Sequence, residues 1–470
     1  MWERFSYYGM RALLILFMVA SPAAGGLGLA VPKAAAIYGL YTASVYLAGL
    51  PGGWVADKIL GLRRAVLIGG VLIACGHVSL IFERLGSFYM GLVLIVIGTG
   101  LLKANISAIV GELYAPGDTR RDGGFSLFYM GINLGGFLSP LACGYLGQRV
   151  GWHWGFGLAA LGMTAAVVQF VRGQKQLGHA GIRTIPSEAR QKAARQLLMG
   201  SLVCAAAAAA ILFFLRRRSI EVTAQGISAS LGLLLVILSL SVFLWLFLAA
   251  KWSVAERKKL VVILVLFLAS ALFWSLFEQA GSTLNLFAER NTNCVLWGHS
   301  FPSSWFQSLG SLFIILFAPV FAWFWIWLGP RDPSSPRKFT GGLVFAGLGF
   351  AVLILPLAAG MGRVSPAWLV LTYLLHTFGE LSVSPVGLSA MTKLAPARAA
   401  GLIMGVWFLS TSLGNYLGSR TAGLYEAMPL AKLFALVAGA AFAGALLLGL
   451  LAKRIEHLAE EPIPKAAESR

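Results

Sequence analysis

Long uninterrupted apolar runs constrain this chain more than any other feature. A helix needs about 20 apolar residues to cross a bilayer, where no water is present to satisfy an irregular backbone. Twelve principal runs of that length succeed one another along the 470 residues, and a further pair lies in the middle. The spacing predicts spans ending near residue 20, then over about 34–56, from beyond Arg64 to Arg84, over 87–113, from beyond Asp122 to Arg149, and over 155–171. A polar, basic stretch over 173–196 follows, then apolar runs at about 197–215 and 227–250 that flank Arg216, Arg217 and Arg218. Six more spans begin near residues 260, 305, 339, 366, 400 and 430. This is an all-α integral membrane protein of 14 helices. It divides into a six-helix bundle over 1–172, a linker with an extra helical hairpin over 173–258, a second six-helix bundle over 259–455, and a solvated tail over 456–470. The hairpin carries poly-alanine at 205–210 and few internal polar groups, which places it beside the bundles and not lining them.

Composition excludes other classes. With 58% hydrophobic and 12% charged residues, the chain has no soluble counterpart. Its net charge of +19 suggests nucleic acid, but the Lys and Arg residues fall in short segments between apolar runs, as in positive-inside loops. No nucleic-acid partner is expected; the bilayer is. The basic residues concentrate on the side where the chain starts, which predicts cytoplasmic N- and C-termini, with Arg216–Arg218 as the exception on the far side. Four cysteines, Cys75, Cys143, Cys204 and Cys294, show no CxxC spacing, so neither a disulfide framework nor a zinc site is read. HExxH and GxSxG signatures are absent and the six histidines are scattered, which argues against an enzyme, and no metal is expected. No cleavable leader is read ahead of the first span.

Charges inside the spans carry the functional signal. A charge in mid-bilayer costs roughly 2.5–3.5 kcal/mol, so such residues face a bundle interior or a watery cavity. The first span opens Glu3-Arg4-Phe5-Ser6-Tyr7-Tyr8-Gly9-Met10-Arg11, and Glu3, Tyr7 and Arg11 recur on one helix face. Lys103 falls mid-span with no carboxylate one turn away, so its partner comes from another helix or a ligand. Tyr129 and Asn133 share a face above Gly135-Gly136. The second half contributes Glu278-Gln279, Glu380 with His376 one turn before it, and then Trp407, Ser410 and Asn415. His376 is either a partner for Glu380 or a packing histidine, and Trp407 is either a site residue or a packing aromatic. The halves thus divide by sign: Arg4, Arg11 and Lys103 against Glu278 and Glu380. A ligand bearing a carboxylate at one end and an ammonium at the other complements that division, which favours peptides or amino acids over sugars.

Six spans, a hairpin and six spans is the layout of a two-bundle secondary transporter. Gly52-Gly53-Trp54-Val55-Ala56-Asp57 with Arg63-Arg64 resembles the loop signature of the major facilitator superfamily. Three further stretches resemble the proton-dependent oligopeptide transporter family, particularly its bacterial di- and tripeptide importers. They are Glu3 to Gly9, Phe128-Tyr129-Met130-Gly131-Ile132-Asn133, and Gly379-Glu380-Leu381-Ser382-Val383-Ser384-Pro385 continuing to Ser389. The resemblance implies the major facilitator fold and a proton-coupled symporter of the bacterial inner membrane. Such a protein imports small peptides by alternating access, functions as a monomer and uses protons as coupling ion with no cofactor. It further implies that Arg11 and Lys103 bind the peptide carboxylate, with Tyr7, Tyr8 and Tyr46 lining the pocket. Glu380 and Asn133 would receive the amine, with Trp407 and Ser410 nearby. Glu3 with Arg4, and Glu278, would carry proton coupling and ion-pair switching.

The sequence departs from the family pattern at three places. The first Glu of the family's Glu-x-x-Glu-Arg-Phe motif falls ahead of Met1. Gly310-Ser311 stands where Asn-Pro is expected, removing one amine contact. Gly39 occupies the position of a histidine found in animal members, so coupling rests on carboxylates. The competing reading is a related carrier of the same fold for another small zwitterion, nitrate or a drug; nitrate leaves the glutamates without a use.

Overall fold

The apolar runs become helices whose bounds are set by glycine, proline and charged residues. The structure, a computed structural model, describes all residues except 83, 116, 117, 119, 218–220, 249–251, 361 and 460–470. The first bundle comprises α1 (Trp2–Val19), α2 (Val31–Leu47), α3 (Gly49–Val55), α4 (Leu62–Ile81), α5 (Leu85–Glu112), α6 (Arg120–Tyr145) and α7 (Trp152–Gly173). The central hairpin is α8 (Ser187–Arg217) and α9 (Ala224–Leu248). The second bundle comprises α10 (Val254–Phe277), α11 (Thr283–Asn291), α12 (Phe306–Leu328), α13 (Ser335–Ala358), α14 (Pro366–Leu394), α15 (Ala400–Ala422) and α16 (Leu430–Ala459). Two spans are each broken in two, α2 with α3 and α10 with α11, so these elements make fourteen crossings. A two-stranded hairpin, Val295–Leu296 with His299–Ser300, connects α11 to α12.

An even number of crossings puts the start of α1 and the end of α16 on one side, called here the terminal face. Within the bundles, small residues let helices approach closely. A Cβ on Gly69 of α4 would lie 2.6 Å from the Gly98 carbonyl oxygen of α5, and one on Gly76 would lie 2.8 Å from the Gly91 oxygen. The two bundles meet chiefly through α2 against α15 and α6 against α12. The hairpin stands outside: α9 packs on α2 and α15, while α8 shows no buried residue across its apolar window.

Several boundaries differ from the sequence reading. The span expected over 34–56 breaks at Ala48 and then widens into a π turn over Ala56–Leu60, closed by Gly61 at φ 77°, a conformation open to glycine. The α8 helix begins at Ser187, inside the stretch read as linker, because Ser187 to Arg195 has helix-forming composition although it is polar. The tail expected over 456–470 is still helical to Ala459; Glu456 there pairs with Arg337 and accepts from Ser334, which holds the last turn. The rest of that tail, together with Pro116, Gly117 and Arg218, lies outside the described residues.

Candidate functional site

The broken helix α10–α11 builds the centre of the site. After Phe277 the chain makes a tight turn over Glu278–Gly281 before α11 resumes, which interrupts the helix inside the span Val254–Asn291. Irregular backbone at that depth survives where protein groups satisfy it. Here Tyr373 donates to the Ala280 oxygen at 3.3 Å and Asn285 of α11 donates to the Ala12 oxygen of α1 at 2.8 Å. Gly281 is required: a Cβ there would lie 1.9 Å from the Tyr38 hydroxyl and 2.8 Å from Arg11 Nε.

Into that turn reaches Arg11, 6% exposed. Its Nε donates to the Tyr38 hydroxyl at 2.8 Å and its NH2 to Glu278 Oε2 at 2.5 Å. The pair ties the first bundle to the second. Tyr46 lies 3.5 Å from the other Glu278 oxygen. Glu3 and Arg4 neutralise each other within α1 at 3.0 Å. Lys103 has no carboxylate partner among the described residues; its ammonium stands over the Tyr46 ring, 3.7 Å from the centroid, a cation–π contact. Glu380 is the converse case, a carboxylate with no cation partner among the described residues and with Oε2 buried and without a hydrogen bond among them.

These groups line two adjoining cavities. A central one of 140 Å³ is bounded by Tyr8, Arg11, Tyr129 and Asn133 from the first bundle and by Trp274, Glu278, Gln307, Gly310, Ser311, Tyr373, His376, Thr377 and Glu380 from the second. A larger one of 680 Å³ runs from Glu3, Arg4 and Lys103 to Trp54 and Asp57 at the terminal end. Tyr46 and Ile132 line both, so the two join at that point. On the opposite face the bundles are strapped together. Gln148 donates to Glu289 and Ser303, both at 3.0 Å, and Arg149 donates to Ser300 at 2.8 Å. Deeper between the bundles, at the level of the site, Ser412 of α15 donates to the Ala43 oxygen of α2 at 2.8 Å. The structure is therefore open toward the terminal face and closed on the other.

Of the residues singled out from the sequence, Tyr8, Arg11, Tyr46, Asn133, Glu278 and Glu380 meet at the centre, and Glu3, Arg4 and Lys103 line the adjoining cavity. Three take other places. Tyr7 is packed in the first bundle, its ring 5.3 Å from that of Tyr8, because successive residues on a helix point about 100° apart. Trp407 turns its indole onto α14, where Gly387 leaves room: a Cβ there would be 2.1 Å from the ring. Ser410 faces α10 and shares a hydrogen bond with Ser270 at 2.8 Å. His376 packs instead of pairing with Glu380; its Nε2 lies 3.2 Å from the Ala346 oxygen and its ring 5.0 Å from that of Phe350. Arg63 holds the Gly178 and Ala180 oxygens of the linker, both at 2.7 Å, and Asp57 makes no ion pair among the described residues. The sequence reading missed Tyr38, although its spacing of eight from Tyr46 puts both on one helix face, and it missed Tyr373, three residues before His376.

Residues 63–437 match the family model described as the POT family. The peptide transporter YePEPT of Yersinia enterocolitica is 44% identical over 452 residues, covering 91% of this chain and 86% of its own. A di-/tripeptide transporter of Lactococcus lactis subsp. cremoris is 38% identical over 451 residues, covering 93% and 89%. Among solved structures, the peptide transporter POT in complex with sulfate superposes with a TM-score of 0.91 at 43% identity, covering 97% of this chain and 93% of that one.

Proposed function

Because this chain belongs to the POT family, we propose that it is a proton-coupled symporter importing di- and tripeptides by alternating access between its two bundles. The observation that carries the reading is the pattern of charge pairing. Arg4 is satisfied by Glu3 and Arg11 by Glu278, which leaves Lys103 on the first bundle and Glu380 on the second, in joined cavities, without ionic partners among the described residues. A peptide zwitterion supplies both missing partners, its carboxylate to Lys103 and its ammonium to Glu380, with Asn133, Tyr8 and Tyr46 along its backbone. Arg11 joins the carboxylate site when Glu278 takes up a proton and releases it. That exchange couples the proton to closure of the strapped face: protonation of Glu278 removes the ionic tie between the bundles at the centre, beside that face.

The basic loops concentrated on the terminal face support placing that face in the cytoplasm of a bacterium, with the protein in the inner membrane. Both halves of the site come from one chain, which supports function as a monomer, and membership of the family supports protons as the coupling ion with no cofactor. A zwitterion carries no net charge, so the membrane potential alone cannot concentrate it. One co-transported proton gains about 2.3 kcal/mol per 100 mV, and each pH unit adds about 1.4 kcal/mol.

The test is uptake into proteoliposomes with pH and voltage imposed separately. Glu380→Gln is expected to weaken binding of free-amine dipeptides by about 1.5–3 kcal/mol, the worth of a charged hydrogen bond, and to leave N-acetylated dipeptides almost unchanged. Uptake indifferent to an uncoupler refutes the coupling. Equal losses for free and acetylated peptides refute the assignment of Glu380.

A further inference from the structure

A third cavity, remote from the transport path, lies on the terminal face between the π turn after α3 and the linker that follows α7. It encloses 460 Å³, and four arginines, Arg63, Arg64, Arg183 and Arg190, line it without any carboxylate among its lining residues. Two of the four are structural. Arg63 spends Nε and one NH2 on linker carbonyls, and Arg183 pairs with Glu112 at 2.5 Å, while the other Glu112 oxygen accepts from the Gly181 amide. These contacts strap the linker to the ends of α4 and α5 and so fix the cavity wall. Arg64, in the first turn of α4, and Arg190, in the first turn of α8, have no ionic partner among the described residues. Helix starts add partial positive charge of their own. Apolar Ile59, Leu67 and Ile185 complete the lining.

Two exposed guanidiniums carried by separate elements thus line one recess that has no acid among its lining residues, a setting that favours an anion. Guanidinium forks match phosphate oxygens two at a time. We propose that this recess binds a phosphate group, Arg64 of α4 and Arg190 of α8 supplying the two forks. An anionic phospholipid headgroup at the bilayer edge offers that group, with the apolar lining residues meeting its glycerol and first methylenes; soluble phosphate offers it without the apolar part. Occupancy would bridge the first bundle to the linker, independently of the peptide site.

Native mass spectrometry on the full chain, taken from vesicles of phosphatidylglycerol or of phosphatidylcholine, separates the sources when combined with thermal-shift titration by inorganic phosphate. The wild type is expected to retain phosphatidylglycerol in preference to phosphatidylcholine. Arg64→Gln with Arg190→Gln should cut that retention about thirtyfold, which corresponds to about 1 kcal/mol for each arginine. The paired Lys substitutions should keep part of the preference, since charge survives while the fork is lost. A thermal shift with inorganic phosphate that the Gln pair abolishes, without any lipid preference, supports the site with soluble phosphate as its source. Melting in phosphatidylcholine checks that the Gln pair is folded. If the folded Gln pair retains phosphatidylglycerol and responds to phosphate as the wild type does, the proposal is overturned.

Discussion

Replacing Glu278 by Gln tests whether the Arg11–Glu278 pair is what closes the face opposite the termini. Both side chains are nearly dry, 7% and 5% exposed, and their N–O separation is 2.5 Å. Removing one partner of a buried pair costs about 3–5 kcal/mol, because the remaining charge is left uncompensated. Tyr38 still accepts from Arg11 Nε, which argues for the low end. If that loss falls on the closed state alone, about 3 kcal/mol moves the equilibrium between closed and open forms more than a hundredfold, at 1.4 kcal/mol per power of ten. The straps at Gln148 and Arg149 lie toward the rim and are more exposed than the pair, so they oppose this shift only weakly. Spin labels at Trp154 and His299, exposed positions of the two bundles on that face, would report it by pulsed dipolar spectroscopy in a background without the native cysteines. The wild type should give one short distance. Glu278→Gln should add a longer population, and Arg11→Gln in the same chain should return part of it by removing the stranded cation. A folded Glu278→Gln protein with an unchanged distance distribution would mean that the pair weighs equally on both states, and the gating role would fail.

Other substitutions probe the remaining contacts. Lys103→Ala should weaken uptake of free dipeptides and cause little further loss for C-terminally amidated ones, as measured in proteoliposomes; equal losses would move Lys103 to a structural role. Gly281→Ala should displace the Tyr38 hydroxyl from Arg11 and lower transport, and Tyr38→Phe in the same chain should relieve only part of the clash, because it removes the 1.9 Å contact and leaves Arg11 Nε at 2.8 Å. Gly136→Ala meets Ser311 Oγ at 2.4 Å, an overpacking cost of about 1–3 kcal/mol that Ser311→Gly should remove. Gly52→Ala meets the Gly100 carbonyl oxygen at 2.1 Å. No side-chain trimming should rescue its melting temperature, since the opposing atom is backbone.

The sequence by itself determined the class of the protein, its crossing count and the inventory of charged groups at its centre. Apolar length and the lack of backbone partners in lipid allow only helices there, and Arg11, Lys103, Glu278 and Glu380 stand out because charge in mid-span is expensive. Helix periodicity also put Glu3 and Arg11 on one face. Tertiary structure decided how those charges pair. Arg11 and Glu278 are 267 positions apart, and their meeting depends on a turn at Glu278–Gly281 that periodicity does not reveal. Lys103 stands over the Tyr46 ring and Glu380 has no cation partner among the described residues, a difference set by which helices adjoin. Trp407, Ser410 and Tyr7 look like site residues by type and depth, yet neighbouring helices occupy the faces they present: α14 opposes Trp407 at Gly387 and α10 opposes Ser410 at Ser270. A helix pattern fixes what a residue is and how deep it lies. Only the packing of helices from distant parts of the chain fixes what it touches, because those contacts are set by shape and not by local spacing.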